Sequence, residues 1–202
     1  VGGPRTNQRR SSMLLHHGVG EFSTMQHAYA HITVASVLLD DAGDAPQLID
    51  RALARCLSEK RPIMIEIPVD IVDQPCQPSN RQTPSGPPAS DPDSLNEALD
   101  EVMALLASAK RPVILGGVEL HRYGLMQQFM RLVEKSKLPV ATTLLGKTVI
   151  SELHPQAIGV YEGAMSRKDV RAIVEASDVL LCIGAWISDI NFGVFTGKLE
   201  GR

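Results

Sequence analysis

The sequence has no apolar run near the roughly 20 residues that a bilayer-spanning helix needs, so nothing in it calls for a membrane. It has no surplus of positive charge. Lys and Arg number 20 against 23 Asp and Glu, a formal net charge of −3 with a pI near 6.1. A nucleic-acid or anionic-membrane footprint requires the opposite balance. Cysteine is scarce: Cys56, Cys76 and Cys182 are odd in number, far apart and without any C-x-x-C pair. That usage fits reduced thiols in a cytoplasmic protein better than a disulfide framework. The start lacks a basic stretch followed by an apolar segment, so no signal peptide is expected. It also lacks an initiator Met. The chain opens on Val1-Gly2-Gly3 and closes on Leu199-Glu200-Gly201-Arg202, and both ends read as cuts through a longer protein.

What is present is enough to fold. Hydrophobic residues are 44% and charged residues 21% of the 202, sufficient for a buried core in one large or two small domains. The plainest boundary is residues 74–91, a linker holding Pro75, Pro78, Pro84, Pro87 and Pro88 among Ser, Gln and Thr, with Pro92 just beyond. Prolines at that density block both helix and sheet pairing. Before the linker, Leu48, Ile49, Ala52, Leu53, Cys56 and Leu57 form one apolar stripe of a helix over Pro46 to Glu59. Asp44 is its expected N-cap, with Gln47 as capping-box partner. Ile32-Thr33-Val34 and Ile63 to Ile67 read as strands. After the linker, helix and strand alternate three times: a helix through Leu95 to Leu106 with the strand Pro112 to Leu115, a helix through Leu125 to Val133 with the strand Leu138 to Thr142, and a helix over Arg167 to Ala176 with the strand Val179 to Ile183. The pattern predicts an α/β fold with a doubly wound parallel sheet.

Histidine supplies the first candidate chemistry. His27 and His31, four apart, would share a helix face as metal ligands do, but no H-E-x-x-H accompanies them and packing is the plainer reading. His16-His17 follows the apolar Met13-Leu14-Leu15 and precedes Gly18-Val19-Gly20, where an ordered segment gives way to a loop. Imidazole moves protons near neutral pH better than any other side chain, although a histidine doublet on its own is more often a surface pair. Leu144-Leu145-Gly146-Lys147-Thr148 imitates the tail of a Walker A loop, but Ala141 stands where its first Gly belongs and no amphipathic helix follows. Gly116-Gly117 at a strand end reads as a tight turn.

Together these segments resemble a known family, the pyruvate, indolepyruvate and phenylpyruvate decarboxylase group of thiamine-diphosphate enzymes. Val1-Gly2-Gly3-Pro4 through Leu14-Leu15-His16-His17 is similar to the family's V-G-x-P…L-L-H-H segment. Arg61-Pro62 through Ile67-Pro68-Val69-Asp70, Lys110-Arg111-Pro112-Val113-Ile114-Leu115, Gly146-Lys147 through Glu152-Leu153-His154-Pro155, Gly159-Val160-Tyr161-Glu162-Gly163 and Ser188-Asp189-Ile190-Asn191-Phe192-Gly193 continue it in order. The resemblance implies that residues 1–73 are the C-terminal part of a pyrimidine-binding α/β domain, and 92–202 a central doubly wound domain. A third domain, with a G-D-G…N motif for Mg²⁺ and the diphosphate, and an upstream activating Glu would lie outside this chain.

The same resemblance implies a function: nonoxidative decarboxylation of a small 2-keto acid to an aldehyde and CO₂ with thiamine diphosphate and Mg²⁺. Once CO₂ has left, the former carbonyl carbon must take a proton before the aldehyde departs. His16 and His17 are the residues the resemblance assigns to that transfer. Arg61 matches an activator-contacting position of substrate-activated members. The Cys those members carry after the first central strand is replaced here by the run Gly117-Val118-Glu119-Leu120-His121. A homodimer or homotetramer in the cytoplasm is expected, without nucleic-acid or membrane partners, and the isolated chain is expected to be inert. Two other readings stay open: a noncatalytic assembly fragment, and a carboligase resembling acetohydroxyacid synthase, whose central domain can bind a flavin nucleotide.

Overall fold

A computed structural model of the chain describes residues 1–9, 20–79 and 89–199. The chain divides into two units, Val1–Ala89 and Ser90–Arg202. Both are α/β with parallel sheets.

In the first unit the elements run β1 (Gly2–Gly3), α1 (Thr6–Arg9), α2 (Thr24–Ala30), β2 (Ala35–Leu38), α3 (Ala45–Glu59) and β3 (Ile63–Pro68). The sheet order is β1-β3-β2, all parallel, so the last strand lies in the middle. Along β3 the residues Met64, Glu66 and Pro68 are buried while Ile63, Ile65 and Ile67 are half-buried. The first strand expected at Ile32-Thr33-Val34 begins instead at Ala35. Ile32 and Thr33 belong to the exit of α2, where their N–H groups both donate to Tyr29 O. The Thr33 hydroxyl donates to Tyr29 O at 2.6 Å, and this local bonding takes the backbone that a strand would need. The α3 helix forms as expected, but Asp44 does not cap it with its side chain and the capping box is not made. Asp41 serves this turn, its carboxylate accepting from Gly43 N at 2.6 Å.

In the second unit the elements are α4 (Pro92–Ser108), β4 (Pro112–Gly116), α5 (Glu119–Arg122), α6 (Met126–Ser136), β5 (Val140–Thr142), β6 (Ala157–Val160), α7 (Lys168–Glu175) and β7 (Val179–Ile183). The sheet order β6-β5-β4-β7 is parallel throughout. The chain therefore winds outward from β4 through β5 to β6, then crosses back to lay β7 on the other side of β4. That reversal is the topological switch of a doubly wound sheet. One face packs Ile114 and Val140 against Leu120, Phe129, Val133 and Val149. The other packs Val113, Leu115 and Ala141 against Tyr161, Val170 and Val174. Alternate residues of β4 thus enter opposite cores, as the period of two in a strand requires.

The strand β6 has no counterpart in the sequence reading. It is short, half-buried, and broken by a register shift between Val140 and Ala141 of its neighbour, with Gly159 at φ +126°. The helix α4 forms but begins at Pro92, ahead of the stripe read from Leu95, with the Asp91 carboxylate accepting from Ser94 N at 2.9 Å, yet none of its residues is buried. Among the described residues no helix is long and apolar enough to cross a membrane.

Candidate functional site

Parallel α/β sheets bind their ligands at the carboxyl ends of the strands, so that edge of each unit is where a site would be built.

In the first unit the edge centres on Glu66. Its residue exposure is only 4%, and its carboxylate lies over Gly3 of the neighbouring β1. A Cβ added at Gly3 would stand 2.6 Å from Glu66 Oε1, so the missing side chain is what makes room for the acid. Arg9, the last residue of α1, pairs through Nη2 with that same oxygen. The pair is nearly dry, with side-chain exposures of 13% and 6%. Among the described residues, Arg9 Nε and Glu66 Oε2 are both buried without a hydrogen-bond partner. At the other end of α1, the backbone N–H and the hydroxyl of Thr6 donate to the Asp70 carboxylate, the hydroxyl at 2.6 Å. These bonds, the Thr6 hydroxyl first, hold the Asp70 carboxyl below its ordinary pKa. Two polar stitches therefore tie a one-turn helix to β3 and to the residues just after it.

His16 and His17 lie outside the described residues. Arg61 is exposed, in the turn between α3 and β3, at the opposite end of β3 from Glu66 and Asp70. His27 and His31 are exposed on and just after α2. No group of three or more metal-binding side chains occurs among the described residues. Neither Arg9 nor Glu66 was singled out from the sequence. The signal was available: a lone Glu in the apolar strand Ile-Met-Ile-Glu-Ile-Pro sits on the face of Met64 and Pro68, and a buried carboxylate demands a partner.

In the second unit the loops leaving β4, β5 and β7 lock together over the switch point. A Cβ on Gly117 would fall 2.1 Å from Gly184 O and 2.3 Å from Ala185 Cα. The glycine is needed for this close backbone approach, not for the tight turn expected from the sequence. Likewise a Cβ on Gly146 would meet Gly116 O at 2.7 Å. Fully buried Asn191 bridges two of the loops, accepting from Leu145 N at 3.1 Å and donating to Trp186 O at 2.8 Å. At the switch point the loops leaving β4 and β7 thus approach backbone to backbone. An apolar cleft of about 530 Å³ lies at the opposite edge, against Pro112, Val113, Leu138 and Pro139 at the amino ends of β4 and β5. Residues 144–150 form turns with no helix after Lys147, which removes the phosphate cradle suggested by Gly146-Lys147-Thr148.

Residues 99–200 match the family model described as thiamine pyrophosphate enzyme, central domain. The chain belongs to the thiamine pyrophosphate enzymes. Among curated relatives of this family, the pyruvate decarboxylase of Aspergillus fumigatus is 36% identical over 203 residues, covering 98% of the chain and 36% of the relative. The indole-3-pyruvate decarboxylase of Azospirillum brasilense is 34% identical, over 100% of the chain and 36% of the relative. The pyruvate decarboxylase of Kluyveromyces marxianus is 33% identical, over 97% of the chain and again 36% of the relative. The chain spans about a third of the length of the curated relatives it matches.

Proposed function

We propose that the whole protein decarboxylates a small 2-keto acid to an aldehyde and CO₂, with thiamine diphosphate and Mg²⁺ held mainly by residues outside this chain. The observation that carries this reading is similarity across 97–100% of the chain to both a pyruvate and an indole-3-pyruvate decarboxylase. It is joined by the doublet His16-His17, in a segment that resembles the one such enzymes carry. The bound cofactor supplies the electron sink for loss of CO₂. This chain supplies the proton: His16 and His17 deliver one to the former carbonyl carbon, so that the 2-keto acid plus one proton becomes aldehyde plus CO₂.

In this reading residues 1–73 are part of the pyrimidine-binding domain, 74–91 the linker and 92–202 the central domain of a cytoplasmic homodimer or homotetramer. The doublet His16-His17 favours this reading over the flavin-binding carboligase alternative. Arg61, exposed at the amino end of β3, would have to meet an effector away from the carboxyl edge. The test is steady-state aldehyde release by the whole protein on pyruvate, indolepyruvate and phenylpyruvate. His17→Ala should lower turnover by about 10²- to 10⁴-fold, the scale of a lost acid–base group. An unchanged rate removes the histidines from the mechanism, and no turnover of any of these acids by the unaltered protein removes the reading itself.

A further inference from the structure

The loop that follows β7 turns its apolar side chains outward although its backbone is firmly tied. Trp186, Ile187, Ile190, Val194 and Phe195 fall within ten consecutive residues, and each is 48–74% exposed. Between them Asn191 is fully buried, and Phe192 enters the core edge-on to Tyr161, with ring centroids 6.0 Å apart. Asn191 joins Trp186 O to Leu145 N. Val194 N donates to Asp189 O at 2.8 Å. The Thr196 hydroxyl accepts from Ala164 N at 2.8 Å and donates to Gly193 O at 2.6 Å. Gly193 closes the lock, since a Cβ there would stand 2.2 Å from Glu162 O.

Val194 and Phe195 both hold left-handed backbone, at φ +55° and +62°. That conformation is unfavourable for any side chain and most of all for a β-branched one. The loop thus combines strained backbone with the exposure of a Trp and a Phe. The exposed parts of the five side chains amount to roughly 500 Å², at the upper end for an apolar patch on a monomer. Left in water such a surface is unfavourable. Against a second protein surface it is buried, and a loop already locked loses little freedom on docking.

The rim narrows the partner. The Arg122 guanidinium, which also pairs with Glu119 at 2.7 Å, lies 5.7 Å from the centroid of the Trp186 ring. Asp189 is exposed beside Ile190. An apolar centre flanked by both signs of charge can meet itself across a two-fold axis, where each residue faces the other copy's complement. Two copies would bury about 1,000 Å² of apolar surface, the size at which specific interfaces begin.

We propose that this loop is a contact between two copies of the chain about a two-fold axis, anchored by Trp186 and Phe195, with Arg122 of each copy facing Asp189 of the other. The inference gives a place to the homo-oligomer of the reading above, and rests on that reading for the oligomer alone.

The test is the mass of the whole protein by sedimentation. Ile187→Ser with Phe195→Ser should halve that mass, since losing two central apolar side chains weakens an interface by at least about 100-fold. The melting temperature of the dissociated particle should not fall, because both side chains are exposed within one copy. Arg122→Asp and Asp189→Arg should each halve the mass alone. An equimolar mixture of these two variants should recover it, because every Asp at the contact then faces an Arg.

An unchanged mass for the Ser variant overturns the proposal, as do charge variants that assemble normally or a mixture that stays at half mass. If the unaltered protein is a monomer, the homo-oligomer and this contact fall together, while aldehyde release still decides the decarboxylase reading. If it assembles and the variants assemble with it, only the contact is lost.

Discussion

The two units solve the same architectural problem with different materials. In the second, β4 is covered on both faces, and Ile114, Leu115, Val133 and Val140 are fully buried in two apolar clusters. In the first, among the described residues, the buried apolar ones are few and small apart from Leu39 and Met64, and one buried position of the central strand is an acid, Glu66. Its short elements are secured by hydrogen bonds: Thr6 to Asp70, Arg9 to Glu66, and Ser36 Oγ to Gln26 O at 2.9 Å. Apolar packing is non-directional and tolerates small shifts, whereas polar stitches fix atoms at one distance and angle. The second unit therefore reads as a scaffold, and the first as the place where aim matters.

The sharpest way to break that contrast is to truncate one buried apolar side chain in each unit. Phe129 of α6, 2% exposed, closes the cluster beneath β4 and β5. Phe129→Ala should lower stability by about 3–5 kcal/mol, the usual cost of a large aromatic lost from a packed core, measured by urea unfolding. Met64→Ala in the first unit, 4% exposed, should cost about 2 kcal/mol, at the lower end for such a truncation. Equal losses would show that the first unit also stands on apolar packing, and the distinction would lapse.

How much of this was legible in the sequence follows the same line. Helices with a clean apolar stripe, α3 and α6, and strands as apolar as β4 and β7 were read within a few residues, because period and burial coincide there. The strand β6 was missed because Gly159 and the register shift break its pattern. The start of β2 was misplaced because Thr33 spends its hydrogen bonds on Tyr29. The His16-His17 doublet was visible as a motif. The Arg9–Glu66 pair was not, since it joins residues 57 positions apart through a space created by a third residue, Gly3. Gly117 was visible as a glycine, but its reason, the backbone of Gly184 passing much later in the chain, is a fact of tertiary packing. Local chemistry announces itself in one segment of sequence; a clamp between segments does not.

Within the second unit, one polar knot can be used to sharpen the comparison. Tyr161 is fully buried, and its hydroxyl donates to Glu175 Oε1 at 3.2 Å. Burial, reinforced by the Glu175 charge, pushes its pKa up from 10.0 to about 12. A group whose folded pKa is raised contributes stability that is whole below the unfolded pKa and is lost as pH rises through the folded one. Unfolding midpoints should accordingly fall between about pH 10 and pH 12. In Tyr161→Phe that component of the fall should vanish. If the fall persists unchanged in the variant, the hydroxyl is not the group being titrated and the knot contributes nothing to the alkaline edge.

The smallest effect belongs to Asp178, whose two carboxylate oxygens accept from Lys110 N at 2.7 Å and Arg111 N at 2.8 Å. It clips the entry of β4 to the entry of β7, a polar stitch of the kind that dominates the first unit. The Lys110 backbone bond is the main reason its carboxyl sits below the ordinary value of 3.8. A depressed folded pKa contributes stability that is present above the unfolded value and lost as pH falls through the folded one, so the clip should weaken only in acid, below about pH 4. Asp178→Asn retains one acceptor oxygen and loses the charge. It should leave the neutral-pH melting temperature almost unchanged and flatten its fall in acid. The stitch lies at the exposed rim of a unit whose cores are closed without it, and its removal should release nothing else. A loss as large as that from Phe129→Ala would mean that this unit, too, is held at its rim, and that apolar packing alone does not set its strand order.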